Sequence, residues 1–271
     1  MAMTRMTGER RVQKQSRVML FGPPNTGKTT SAAFTSIKPA VLMSVPGEHG
    51  YASIPDNIPG LIPLVWIGDV GSGSQSSESV KREVEAEVKK VIAGKYDEEF
   101  GKVRTLIIDG YHKLYNHYLN IGTAGKYNAG EDFEARLYTR AHRMSDAFLD
   151  LCLDSAIEFV TFTTWNAKEA DKVGTVGGPS HEWPDLPGKA AKEMVGKFSV
   201  VCYSRSVVKD GKRVWEWLLK PDSEIWGNSV KMDARLMSRL PASCPQDFSQ
   251  LYKVIGAAQE EVEHENSAGV A

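Results

Sequence analysis

Apolar residues along the chain fall into short, nearly continuous runs, separated by longer stretches in which they recur at helical spacing. Val18–Phe21, Ala40–Val45, Val103–Asp109 and Ile157–Thr164 have the length and composition of buried strands, and a shorter run at Leu64–Ile67 adds a fifth. Between them, Val80, Val84, Val88, Val91 and Ile92 recur within a charged segment, which predicts an amphipathic helix over about Glu78–Ala93. Further helices are expected at Gly27–Thr35, Tyr111–Asn120 and Asp132–Asp154, the first ending at Lys38-Pro39. The last third differs. Phe198–Val208 and Arg213–Lys220 read as strands joined by Lys209-Asp210-Gly211-Lys212, where Asp-Gly signals a tight hairpin. A short helix at about Asp247–Ala257 follows. Alternating strands and helices closed by a hairpin predict an α/β fold, with a mostly parallel sheet and an antiparallel extension.

Composition narrows this little. With 271 residues, 41% hydrophobic and 25% charged, the chain suits one large domain, expected over residues 17–256. Residues 1–16 read as a flexible basic tail with Arg5, Arg10, Arg11 and Lys14, and residues 257–271 as an acidic, disordered one. A formal net charge of -1 argues against a protein that coats nucleic acid by bulk charge, though a local basic face is compatible with it. Cys152, Cys202 and Cys244 lie far apart without a C-x-x-C pair, which predicts reduced thiols, no zinc site and a cytoplasmic protein. No apolar run has the length of a membrane span, and no apolar stretch follows the basic N-terminus to make a secretory signal.

The chemistry concentrates in Gly22-Pro23-Pro24-Asn25-Thr26-Gly27-Lys28-Thr29, followed by Thr30, which satisfies G-x-x-x-x-G-K-[ST] between a predicted strand and a predicted helix. The glycines let backbone N–H groups close round an anion. Lys28 is placed to reach β- and γ-phosphates, and the Thr29 hydroxyl to ligate Mg²⁺. The N-terminal end of the helix adds positive potential. The run Val103–Asp109 ends in a carboxylate, the Walker B arrangement, which can hold the Mg²⁺ shell beside Thr29. Many ATPases place a glutamate directly after that aspartate, whereas this chain has Gly110. Glu48, just past the second strand, is the other carboxylate that could activate water. Spacing alone leaves that role open against a solvated loop glutamate. No N-K-x-D motif is present, which favours ATP over GTP, and no arginine cluster supports a kinase lid.

Gly22–Thr29, the strand before Glu48, the strand into Asp109 and the strand ending at Thr164-Trp165-Asn166 together resemble a minimal RecA-type core. With Pro184–Lys189 and the basic segment before Leu240-Pro241, the chain is similar to phage-encoded AAA-type ATP-binding proteins, including short RecA-like ATPases of recombination and single-strand annealing. The resemblance implies a P-loop NTPase with ATP and Mg²⁺ as cofactors, Glu48 as catalytic base beside Lys28, and Thr164 and Asn166 as γ-phosphate sensors. It implies single-stranded DNA as partner, met by loops at Gly122–Gly130 and Ala167–Pro187 through Lys126, Tyr127, Lys168 and Lys172. It further implies a homo-oligomer, filament or ring, with ATP at the interface and Lys231 and Arg235 acting in trans. One departure stands out: where relatives carry a histidine near the end of the sensor strand, this chain has Trp165. A nucleotide-dependent switch or assembly protein with little turnover is the alternative.

Overall fold

The computed structural model describes residues 16–65, 76–123, 133–169, 181–186, 189–221, 229–230 and 234–268. From the N-terminal side, β1 (Ser16–Phe21) leads through the phosphate loop to α1 (Lys28–Thr35) and β2 (Ala40–Ser44). A single 3₁₀ turn, Gly50–Ser53, precedes β3 (Leu61–Val65), α2 (Ser77–Ile92) and the one-turn α3 (Asp97–Phe100). Next come β4 (Thr105–Asp109), α4 (Tyr111–Thr123), α5 (Phe133–Leu153), β5 (Phe159–Thr164), β6 (Asn166–Glu169) and β7 (His181–Pro184). The chain closes with α6 (Lys189–Val195), β8 (Val200–Lys209), β9 (Lys212–Leu218), β10 (Ser229–Val230), α7 (Ala234–Arg239), β11 (Ser243–Pro245) and α8 (Phe248–Ala268).

Among the described residues the main sheet has nine strands, ordered β11-β9-β8-β1-β5-β4-β2-β3, with β10 on β8. From β8 to β3 every neighbour along this order is parallel, while β9, β10 and β11 add antiparallel pairs. This is the expected mostly parallel sheet with its antiparallel hairpin extension. The central strands β1, β2 and β4 are buried along their whole length because both faces of the sheet are covered there. Val18 and Leu20 of β1 pack with Ala32 and Ala33 of α1 and with Phe248 and Leu251 of α8. Met19 and Phe21 point the other way, into a core shared with α2, α4 and α5 through Val84, Tyr111 and Phe148. Arg17 is buried at the start of β1, where its guanidinium donates to the carbonyls of Leu153, Ser155 and Ile157 at 2.7, 3.1 and 3.0 Å. It thereby satisfies acceptors that the end of α5 leaves open.

Several elements differ from expectation. β3 begins at Leu61 and contains Pro63; an edge strand tolerates the missing N–H. The stretch 167–187, expected as an irregular loop, contains the ribbon β6–β7, in which Asn166 Nδ2 donates to Glu182 Oε2 at 2.8 Å. The Tyr203 hydroxyl donates to the same Glu182 oxygen and ties the ribbon to β8. The acidic segment expected to be disordered from residue 257 instead continues α8 to Ala268. Alanine, glutamine and glutamate there are strong helix formers, and an Arg239–Glu261 ion pair at 2.8 Å holds the segment to α7. The Asp210-Gly211 turn has φ of 51° and 74°, the paired left-handed geometry a two-residue hairpin requires. All three cysteines are buried free thiols. Among the described residues no helix is long and apolar enough to cross a membrane.

Candidate nucleotide site

Parallel pairing brings the C-terminal ends of four strands to one edge of the sheet. Phe21 lies beside Thr164, and Ser44 beside Asp109, so the phosphate loop, the Asp109 carboxylate and the segment after β2 converge. A cavity of about 520 Å³ opens between them, lined by Pro24–Thr30, Gly47–Gly50, Ser53, Asp109, Lys113, Thr163 and Trp165. The loop backbone enters the left-handed region at Asn25 and Gly27, the alternation that turns successive N–H groups inward. Thr26 Oγ1 donates to the Pro23 carbonyl at 2.8 Å, and Gln246 Nε2 donates to the Thr26 carbonyl at 2.9 Å, which fixes the loop against the hairpin layer.

Lys28 is only 7% exposed, and its ammonium donates to the carbonyls of Gly22 and Pro23 at 2.8 and 2.7 Å. Burial lowers its pKa to about 8, against the upward pull of Asp109 and Glu48. Asp109 is 1% exposed. Burial raises its pKa to about 6, although hydroxyl bonds from Thr163 and Thr29 oppose the rise. Thr29 Oγ1 and Asp109 Oδ1 are 2.7 Å apart, so two hard oxygen donors meet beside the phosphate loop. That donor set suits Mg²⁺, which takes one or two protein oxygens and fills its shell with water and phosphate. A Cβ at Gly50 would lie 2.5 Å from Thr29 Oγ1 and 3.1 Å from Asp109 Oδ2, so only glycine lets the backbone pass over this pair.

Glu48 lies on the cavity wall formed after β2. Its Oε1 accepts the backbone N–H groups of His49 and Gly50, both at 3.2 Å. Its side chain occupies the space above Gly110, where an added Cβ would come within 2.7 Å of Glu48 Cβ and 2.8 Å of Cγ. Gly110 itself has φ of 83°. The glycine that replaces the usual second acid after Asp109 is thus the counterpart of Glu48: one site for a carboxylate, filled from β2 instead of β4. Beside it stands His112 of α4, 3% exposed, with its ring stacked on Trp165 at 4.5 Å between centroids. Burial first, then Lys113 and Lys28, depress its pKa to about 3, so the imidazole is neutral. Lys113 Nζ lies 4.7 Å from the Trp165 ring centroid.

The structure gathers Lys28, Thr29, Thr30, Glu48 and Asp109 around one cavity. It revises the sensor pair. Thr164 is fully buried with its hydroxyl unpaired among the described residues, and Asn166 bonds to Glu182; neither lines the cavity. Thr163 and Trp165 do, because residues along a strand alternate faces and the opposite parity points inward. Thr163 Oγ1 both donates to Asp109 and accepts the Gly110 N–H at 3.0 Å. Sequence reasoning missed Thr163, His112 and Lys113; the only available signal was their closeness to the strand ends. Lys126, Tyr127, Lys172 and Lys231 lie outside the described residues. Lys168 is on β6 opposite Glu182, and Arg235 is on α7.

A phosphate loop at the end of β1, a strand inserted between it and the Asp109 strand, and Thr29 against Asp109 define a P-loop nucleotide-binding domain. The chain matches the model of the AAA domain family over residues 14–226, and it belongs to that family. No curated protein matches it. Among solved structures it is similar to the flagellar accessory protein FlaH from Methanocaldococcus jannaschii, at 11% identity and a TM-score of 0.33, with 75% of this chain and 76% of that one covered.

Proposed function

We propose that the protein is a Mg²⁺-dependent ATPase in which Glu48 is the general base. The observation that carries this reading is the meeting of Glu48 with Lys28, Thr29 and Asp109 on one cavity wall, in a position vacated by the glycine at 110. Lys28 exchanges the carbonyls of Gly22 and Pro23 for β- and γ-phosphate oxygens. Thr29 and Asp109 would hold Mg²⁺, which when bound supplies charge neutralisation to the phosphates. Glu48 accepts a proton from a water whose oxygen bonds to the γ-phosphorus, while the β–γ bridging oxygen leaves on ADP. Glu48→Gln tests it: nucleotide affinity should stay within about threefold while turnover falls by about 10²–10⁴. Turnover equal to wild type would sink the assignment. A wild-type protein that binds ATP and changes conformation without hydrolysis would instead favour the switch reading.

The same reading takes single-stranded DNA as the partner of an oligomer, by resemblance, with Lys126, Tyr127, Lys168 and Lys172 as contacts and Lys231 and Arg235 acting in trans. What supports it in the fold is the path of one segment: Trp165 on the cavity wall is followed at once by β6, which carries Lys168. ATP turnover measured with and without single-stranded DNA, and binding titrated against salt, provide the test. Unchanged turnover together with the lack of salt-sensitive binding would remove DNA from the account.

A further inference from the structure

We infer that His112 is a positioning residue for Glu48: with nucleotide bound, its Nε2–H donates to Glu48 Oε2 and holds that carboxylate in the orientation that takes the proton from water. The inference rests on the reading of Glu48 as the base. Among the described residues neither ring nitrogen of His112 has a hydrogen-bond partner, although the residue is 3% exposed. Leaving a buried polar group unpaired forfeits its hydration without return, so native proteins rarely do it without a reason. Here the missing acceptor is in view. Nε2 lies 3.9 Å from Glu48 Oε2, about 1 Å beyond a normal hydrogen bond. Both bonds that the carboxylate accepts among the described residues fall on its other oxygen, Oε1.

Trp165 lies nearly parallel to the imidazole, at 28°, and defines its plane. Lys113 rests over the indole. A neutral imidazole carries one ring N–H, and Glu48 is the acidic acceptor that faces it. When γ-phosphate and water draw Glu48 off the backbone of His49 and Gly50, the carboxylate loses those two donors, and His112 is the buried donor placed to replace them.

The test compares wild type with His112→Ala, His112→Gln, Trp165→Phe, Glu48→Gln and the double variant Glu48→Gln/His112→Ala. His112→Ala should lower kcat by about 10- to 100-fold, with affinity for a non-hydrolysable ATP analogue within about twofold. His112→Gln, whose amide nitrogen can reach the same oxygen, should stay within about fivefold of wild type. In the Glu48→Gln background the alanine change should add nothing. Wild-type kcat in His112→Ala, a glutamine variant as slow as the alanine one, or additive effects would each overturn the proposal. If the alanine variant does not fold, glutamine and Trp165→Phe carry the comparison; a Trp165→Phe variant unchanged in kcat, with a glutamine variant no better than Glu48→Gln, would overturn it. A second readout is independent of turnover. In protein labelled with ¹⁵N-histidine, the His112 Nε2 resonance, assigned by its loss in His112→Gln, should shift when Mg²⁺ and the analogue bind, and not in Glu48→Ala. If wild type hydrolyses nothing but the shift occurs, the ATPase reading fails and the contact stands. If no shift occurs, the contact fails.

Discussion

Alanine at position 110 would bring a methyl group to 2.7 Å from Glu48 Cβ, 2.8 Å from Cγ and 3.0 Å from Oε2. Two separate penalties follow. The backbone at φ of 83° is in the left-handed region, where a Cβ costs about 1–2 kcal/mol. The overlap with Glu48 adds about 1–3 kcal/mol of overpacking, relieved by moving the segment after β2 by about 1 Å. The near contact is to Cβ, at the root of the side chain, so a rotamer change alone does not clear it. If Glu48 is the base, as proposed, a shift of that size displaces its carboxylate from the attacking water, and misplacement by about 1 Å costs about 100-fold in rate, or about 2.7 kcal/mol in barrier height. Gly110→Ala should therefore bind a non-hydrolysable ATP analogue nearly as wild type does, yet turn over about 100-fold more slowly.

A double-mutant cycle separates the two penalties. In Glu48→Gly the obstructing side chain is absent, so adding Gly110→Ala should cost only the backbone part, about 1–2 kcal/mol, in urea unfolding. The cycle should show a coupling of about 1–3 kcal/mol between positions 48 and 110. An additive cycle, or a Gly110→Ala enzyme with wild-type kcat, would refute the idea that these residues share one site for a carboxylate.

Three further outcomes are expected. Lys28, held near pKa 8 by burial, should regain its proton when phosphates replace the loop carbonyls, so ATP binding at pH 8.5 should take up protons; calorimetry in buffers of different ionisation enthalpy measures this, and zero uptake would contradict it. In the nucleotide-free protein Asp109 has a pKa raised to about 6 from 3.8, so its stabilising protonated form is complete below pH 3.8 and lost as pH rises through 6. The loss is at most about 3 kcal/mol, and Asp109→Asn should flatten that part of the pH–stability curve while abolishing Mg²⁺-dependent nucleotide binding. Arg17→Ala removes the donor to the carbonyls of Leu153, Ser155 and Ile157, between α5 and β5, and should destabilise the fold by about 2–4 kcal/mol in urea unfolding, without changing nucleotide affinity of the folded fraction.

What was legible in the sequence was what is local along it. The phosphate loop is spelled out in consecutive residues because its function is a backbone shape with one lysine and one hydroxyl attached, and the Asp109 strand advertised itself by an apolar run ending in an acid. Glu48 was open on spacing alone, since a glutamate after Pro46-Gly47 has the same appearance whether it faces water or phosphate. The sensor side went astray by one residue, and the reason is parity. Thr163, Thr164, Trp165 and Asn166 are all plausible by type, and only the register of β5 against β1 and β4 decides which of them face inward. The length of α8 was underestimated for a different reason: a segment rich in glutamate reads as disorder by charge but as helix by propensity, and here it continues the helix to Ala268.

Gly110 shows best how the structure changes the meaning of a residue that was noticed from the start. In the sequence it stood only as a missing acid after Asp109. In the fold β2 and β4 are neighbours in register, Ser44 against Asp109, so the chain leaving β2 passes over the residue that follows β4. Two strands therefore compete for one volume beside the phosphate loop, and it holds a single carboxylate. Supplying it from β2 requires glycine at 110, because the first atom of any side chain there meets Glu48 at its Cβ. It also leaves the first turn of α4 free to bring His112 against the same carboxylate and Trp165 against His112. The choice of strand for one acid thus accounts for the glycine, and His112 and Trp165 stand next to the acid that results.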